Sequence, residues 1–180
     1  MNYIIFDLEA TCWRGRPPGN VQEIIEIGAY RINSYAEVED TFARFVLPKV
    51  NSILSPFCKQ LTGISQEQVN RGKSFDKVIQ DFQDWALIGE EDYTLISWGN
   101  QDQKLFQNDC KLHRVDHTWA EGVVNLKDDY IRLHKMLKPL GLKAAVEREG
   151  YEFTGEQHRA ISDAENLAKI FIKYFSEWPF

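Results

Sequence analysis

The chain has little cysteine, and what it has suits neither cross-linking nor zinc. Its 3 cysteines, Cys12, Cys58 and Cys110, are odd in number and widely scattered, with no C-x-x-C pair. That argues against a disulfide framework and a thiolate zinc site, and leaves reduced thiols. No apolar run approaches the roughly 20 residues a membrane helix needs, so no membrane association is expected. The opening residues lack the basic-then-apolar layout of a secretory signal, because Asp7 and Glu9 interrupt it at once. A cytoplasmic location is the resulting expectation. An excess of positive charge is missing too: the net charge is -6, not the footprint of a sequence-specific nucleic-acid binder. An enzyme that meets nucleic acid through acidic metal ligands escapes that exclusion, since its ligands count as negative until cations bind. Internal repeats, low-complexity tracts and linkers are absent, and 180 residues suit a single domain spanning 1–180.

What is present begins with Ile4-Ile5-Phe6-Asp7-Leu8-Glu9-Ala10-Thr11, a β-branched and aromatic run ending in two carboxylates. Residues i and i+2 share a strand face, so Asp7 and Glu9 point the same way. Two unpaired carboxylates at that spacing repel each other unless something positive lies between them, and a hard divalent cation is the simplest partner. A strand end with solvated acids is the other reading of the pair. Apolar residues on both faces of this strand predict a central, covered position in a sheet.

Gly15, Pro17, Pro18 and Gly19 make the next stretch a loop. Glu23 to Ile32 and Asp40 to Val46 read as two strands joined by a hairpin connection, giving an antiparallel meander. Ser55-Pro56 predicts a helix start and Gly63 its stop, and Ser65 with Gln68 forms a capping box for a second short helix. Ser74 opens a longer helix with Phe75, Val78, Ile79 and Phe82 at core spacing. A strand over Tyr93 to Ser97 leads to a helix from Asp102 through Leu112. A short strand at Val123-Val124 precedes helices over Leu126 to Leu137, Leu142 to Arg148 and Ala160 to Phe175. This order predicts an α/β protein with a mixed central sheet of about five strands flanked by helices.

Further candidate residues follow from that layout. Asp102 comes just after the fourth strand, where α/β proteins bind ligands, although a helix-capping role fits it equally. Asp92 and Asp109 fit less well, the first preceding the strand and the second lying deeper in the helix. In His158-Arg159-Ala160-Ile161-Ser162-Asp163-Ala164, small residues flank Asp163 and allow close packing on the sheet. His158 falls on the preceding loop, placed to take a proton from water as a general base. His113, His117 and His134 read as structural or surface histidines. Arg14, Arg16, Arg71, Lys73, Lys143, Arg148 and Arg159 could form a basic rim for phosphates.

Asp7-x-Glu9, Asp102 and His158-x-x-x-x-Asp163 together resemble the three motifs of the DEDDh exonucleases, which have the ribonuclease H-like fold. Phe6-Asp7-Leu8-Glu9-Ala10-Thr11-Cys12, Glu23-Ile24-Ile25-Glu26-Ile27-Gly28 and Phe57-Cys58-Lys59-Gln60-Leu61-Thr62-Gly63-Ile64 resemble the Eri-type 3′–5′ exonucleases, including the bacterial KapD-like proteins. The resemblance runs along almost the whole chain. It implies that Asp7, Glu9, Asp102 and Asp163 hold two Mg²⁺ or Mn²⁺ ions and that His158 is the general base. It further implies that Ala10, Leu61, Thr62 and Trp98 meet the terminal nucleotide. The implied activity is release of nucleoside 5′-monophosphates from the 3′ end of single-stranded nucleic acid, with RNA slightly favoured over DNA. Within these residues the likeness does not extend to the separate nucleic-acid-binding domain of animal Eri-type proteins. Two alternatives accompany this reading: a regulatory domain binding a protein partner, as the KapD-like likeness suggests, and a polymerase-associated proofreading exonuclease. No polymerase-binding tail is expected after the last helix. Oligomeric state is left open.

Overall fold

A computed structural model describes residues 1–180. Its centre is a mixed sheet of six strands: β1 (Asn2–Ala10), β2 (Ile24–Ile32), β3 (Val38–Leu47), β4 (Lys73–Ser74), β5 (Tyr93–Ser97) and β6 (Val124–Asn125), in the order β4-β3-β2-β1-β5-β6. The first three strands form the expected antiparallel meander, and β5 pairs in parallel with β1. The strand missing from the expected five is β4, which joins β3 through Leu47↔Ser74. Two residues are too few to show an alternation, so β4 left no mark in the sequence.

Alternation along β1 divides the core. Ile4, Phe6 and Leu8 face α3 (Phe75–Trp85) and α4 (Gln101–His113) in a cluster with Phe82 and Phe106. Ile5 faces the other way, into a cluster with α5 (Leu126–Leu133), α6 (Leu142–Arg148) and α7 (Ala160–Lys173). Fully buried Ile170 and Phe171 and nearly fully buried Leu167 anchor α7 there, each worth about 1.5–3 kcal/mol of burial. Tyr3, Ile5, Asp7 and Glu9 thus lie on one face, with the acids at its far end.

A smaller cluster of Ile25, Leu54, Cys58, Ile64 and Val69 seats α1 (Pro56–Thr62) and α2 (Gln66–Asn70). Their ends match expectation: Ser55 caps α1 through Cys58 N–H, Gly63 ends it in a left-handed conformation, and Ser65 and Gln68 form the capping box. Helix α5 is shorter than the expected Leu126 to Leu137, because Lys135 turns left-handed and Met136 N–H bonds back to Ile131. Helix α7 gives way to a 3-10 turn at Phe175–Glu177. No helix is long and apolar enough to cross a membrane.

Candidate active site

Backbone geometry builds one end of the sheet into an acidic cleft. The β1–β5 ladder reaches only Ile5↔Ile96, so the β5 side of β1 is open beyond that point. The Asp102 carboxylate lies in that gap from the first turn of α4, close to Leu8 N–H and to Ser97, whose hydroxyl donates to Gly99 C=O at 2.9 Å. Asp102 is therefore not the helix cap, a position that Asn100 holds; its side chain is turned toward the end of β1. A register shift between Glu9 and Ala10 bends β1 at the same place. Bulges of this kind re-aim side chains beside functional sites.

Helix α7 comes down on the opposite side, and Gly28 makes that approach possible. It pairs with Asp7 across the β1–β2 ladder, and a Cβ on it would lie 2.2 Å from the Ala160 carbonyl carbon. Only a bare backbone fits. Glu26, opposite Glu9 in the ladder, then fixes the helix start. Its carboxylate accepts from Ala160 N–H at 3.0 Å and pairs with Arg159 at 2.8 Å. Asp163, one turn in, accepts from His158 N–H at 2.8 Å and so holds the loop before α7. His158 itself has a left-handed backbone, φ 64°, which turns the chain into the helix.

Ligand atoms of Glu9, His158 and Asp163 lie within 4.8 Å of one another, and Asp7 feels Asp102, Asp163 and Glu9 as neighbouring charges. The structure thus brings together all five of the residues read as an acid–histidine set. Burial, followed by Asp102 and Asp163, raises the Asp7 carboxyl well above the usual range. Burial and then Asp163 push Glu9 up to about 8. Burial raises Asp102 to about 6, opposed by Ser97 and Leu8 N–H nearby, and raises Asp163 to about 6 against its hydrogen bond from His158 N–H. Four hard oxygen donors that resist carrying charge together match a divalent cation in chemistry.

The other expected contacts are more varied. Ala10 is half-buried beside Glu9, and Leu61 is 38% exposed on α1. Thr62 is buried, its hydroxyl spent on Cys58 C=O and Ile64 N–H. Trp98 packs on Tyr130 and donates Nε1–H to Leu140 C=O, which fixes its ring at the cleft's β5 side. Three of the seven residues of the expected basic rim are committed elsewhere: Arg71 pairs with Glu67, Lys73 with Asp81 and Arg159 with Glu26. Lys127, near Asp102 and about 3.6 Å from where a Gly99 Cβ would lie, is a cation that sequence reasoning missed. Glu26 and Gly28 were also missed as site-builders. A glycine interrupting an apolar strand, with an acid two residues earlier on the same face, was the available signal.

A mixed sheet with this acid–histidine end defines a class, and the comparisons agree with it. The chain matches the RNase_T (Exonuclease) family over residues 4–171 and belongs to that family. Human 3′-5′ exoribonuclease 1 is 34% identical over 96% of this chain, which spans 52% of that protein. The chain thus spans about half the length of that curated relative. The probable 3′-5′ exonuclease KapD of Bacillus subtilis (strain 168) is 31% identical, with 93% of this chain and 82% of that one covered. The solved nuclease domain of 3′hExo, a DEDDh family member bound to rAMP, superposes with a TM-score of 0.89 at 33% identity. That superposition covers 98% of this chain and 92% of that one. The fold is the ribonuclease H-like one that the motifs implied.

Proposed function

We propose that this chain is a divalent-metal-dependent 3′–5′ exonuclease that removes nucleoside 5′-monophosphates from single-stranded RNA. The observation that carries the reading is the convergence of Asp7, Glu9, Asp102 and Asp163, from three different elements, beside His158. The donor set fits two Mg²⁺ or Mn²⁺ ions, since all four donors are carboxylates suited to hard cations. When bound, such ions activate water and offset the charge that builds on the phosphate and leaving oxygen.

The chain's own residues do the rest. Asp7 and Glu9 present their oxygens from a buried strand, and Asp102 and Asp163 from two helix starts, so little reorganisation is needed. The imidazole of His158 takes the proton of the attacking water as general base. Asp163 positions that histidine by holding its backbone N–H. Ala10 and exposed Leu61 flank the acids where a terminal nucleotide would sit, Thr62 supports that wall from within α1, and Trp98 offers a ring for stacking. Stacking tolerates any base, which suits a sequence-independent enzyme. Similarity to human 3′-5′ exoribonuclease 1 and to the 3′hExo nuclease domain that binds rAMP supports RNA over DNA as the substrate.

Matched 5′-end-labelled RNA and DNA oligonucleotides, incubated with Mg²⁺, Mn²⁺ or EDTA, test the proposal. Stepwise shortening from the 3′ end, faster on RNA and abolished by EDTA, is expected. Internal cuts, or shortening that persists in EDTA, would overturn it.

A further inference from the structure

Two of the three cysteines lie against each other behind the cleft. Cys12 follows β1 three residues after Glu9 and is half-buried, whereas Cys58 in α1 is fully buried. Ser55 clamps the two segments, its hydroxyl donating to Cys12 C=O at 2.6 Å and accepting from Cys58 N–H at 3.0 Å. Cys12 also packs against the apolar cluster that holds Cys58. Cys58 S–H donates to Ala10 C=O at 3.7 Å, two residues before Cys12. That carbonyl lies at the β1 register shift beside Glu9. Cys110, in α4, belongs to a different core cluster.

We propose that Cys12 and Cys58 form a modification site at which a peroxide joins them in an intrachain disulfide and thereby disturbs the end of β1. Half-buried Cys12 is the sulfur a small oxidant can reach. Its sulfur, after handing its proton to the neighbouring Cys58 thiolate, attacks the O–O bond of hydrogen peroxide, forming a sulfenic acid and a hydroxide that takes that proton back as one water. Cys58, as the thiolate, attacks the Cys12 sulfur and expels hydroxide, which takes up the proton Cys58 lost and leaves as a second water. Two thiols and one peroxide thus give one disulfide and two waters. The contact between the two thiols lowers Cys58 to about 7 and raises Cys12, so the pair's resting thiolate sits on Cys58.

Oxidation removes the proton that Cys58 gives to Ala10 C=O, and an S–S bond draws the loop after β1 toward α1. Both changes act on the wall next to Glu9. The effect on turnover rests on the exonuclease reading above; the disulfide itself does not.

Treatment of the full chain with hydrogen peroxide, followed by alkylation and non-reducing peptide mapping, tests the site. A Cys12–Cys58-linked peptide lighter by two hydrogen atoms is expected, with Cys110 still alkylated after unfolding and the link reversed by dithiothreitol. Free Cys12 and Cys58, sulfinic acid without a link, or links only between chains would overturn the proposal. RNA hydrolysis by the linked form should fall roughly tenfold or more and recover on reduction, because small displacements at a reacting centre are costly. The Cys12→Ser chain should keep its rate after peroxide, and Cys58→Ser serves as the second variant. A linked form as active as the reduced one would overturn the disturbance of β1. A parent with no nuclease activity that still forms the link would sink the exonuclease reading and leave the site standing.

Discussion

Two sets of fully or partly buried acids lie at the same end of the sheet and are held in opposite ways. Glu23 and Glu26 are satisfied by the fold. The Glu23 carboxylate accepts from the backbone N–H groups of Lys49, Val50 and Asn51, at 2.5 to 3.0 Å. Glu26 has Arg159 and Ala160. Asp7, Glu9, Asp102 and Asp163 face one another instead; burial holds all four carboxyls up, and repulsion from neighbouring acids adds to it at Asp7, Glu9 and Asp163. The first set assembles the cleft, and the second carries the charge that a cation would balance. An acid matched by donors or a cation stabilises a fold, whereas acids crowded against one another cost energy until something positive arrives.

Swapping one member of each set should separate these roles. Asp7→Asn should reduce RNA hydrolysis to background while leaving the unfolding midpoint in EDTA unchanged or slightly higher, since it removes one repelling charge. A large loss of stability would move Asp7 into the structural set. His158→Ala should slow turnover by about 10²–10⁴-fold, the usual contribution of a general base, with the fold intact by circular dichroism.

Glu26→Gln should do the reverse of Asp7→Asn. It leaves Arg159 without its anion and weakens the start of α7. Urea unfolding should show a loss of about 2–4 kcal/mol, below the full range for a buried pair because Arg159 is partly exposed. An unchanged urea midpoint would break the comparison. Gly28→Ala forces Ala160 away and should cost about 1–3 kcal/mol of overpacking. Because it moves Asp163 and His158 together, it should also lower the rate by about 10²-fold.

The smallest effect is a pH slope. Raised carboxyls keep protons that the unfolded chain has already released, so their stability contribution is fully present below the ordinary carboxylate range. It is lost as pH rises through the folded values, about 6 for Asp102 and Asp163 and about 8 for Glu9. In EDTA the midpoint should therefore decline between about pH 4.5 and 8, and saturating Mg²⁺ should flatten the decline. Thermal melts across that range check the sign.

Much of this was readable before the structure. Asp7 and Glu9 share a face because strands alternate, and Ser55, Gly63 and the Ser65–Gln68 box ended α1 and began α2 as their chemistry dictates. Local rules suffice for features set locally. The supporting set was harder, because its partners are distant in sequence: Glu26 meets Arg159 133 residues away. Arg159 read as a rim cation for the same reason; only the packing of α7 on Gly28 turns it inward. Strand β4 and the early end of α5 were hidden because two residues of pairing and one left-handed lysine carry no periodic signal.

The claim that the second set awaits cations is tested most directly by calorimetric titration of Mn²⁺ into the metal-free chain near pH 7, in buffers of different ionisation enthalpy. Carboxyls held at raised values must give up protons to bind a metal, so binding should release protons, and Asp163→Asn should weaken it strongly. Binding without proton release, or equal binding by Asp163→Asn, would contradict the account.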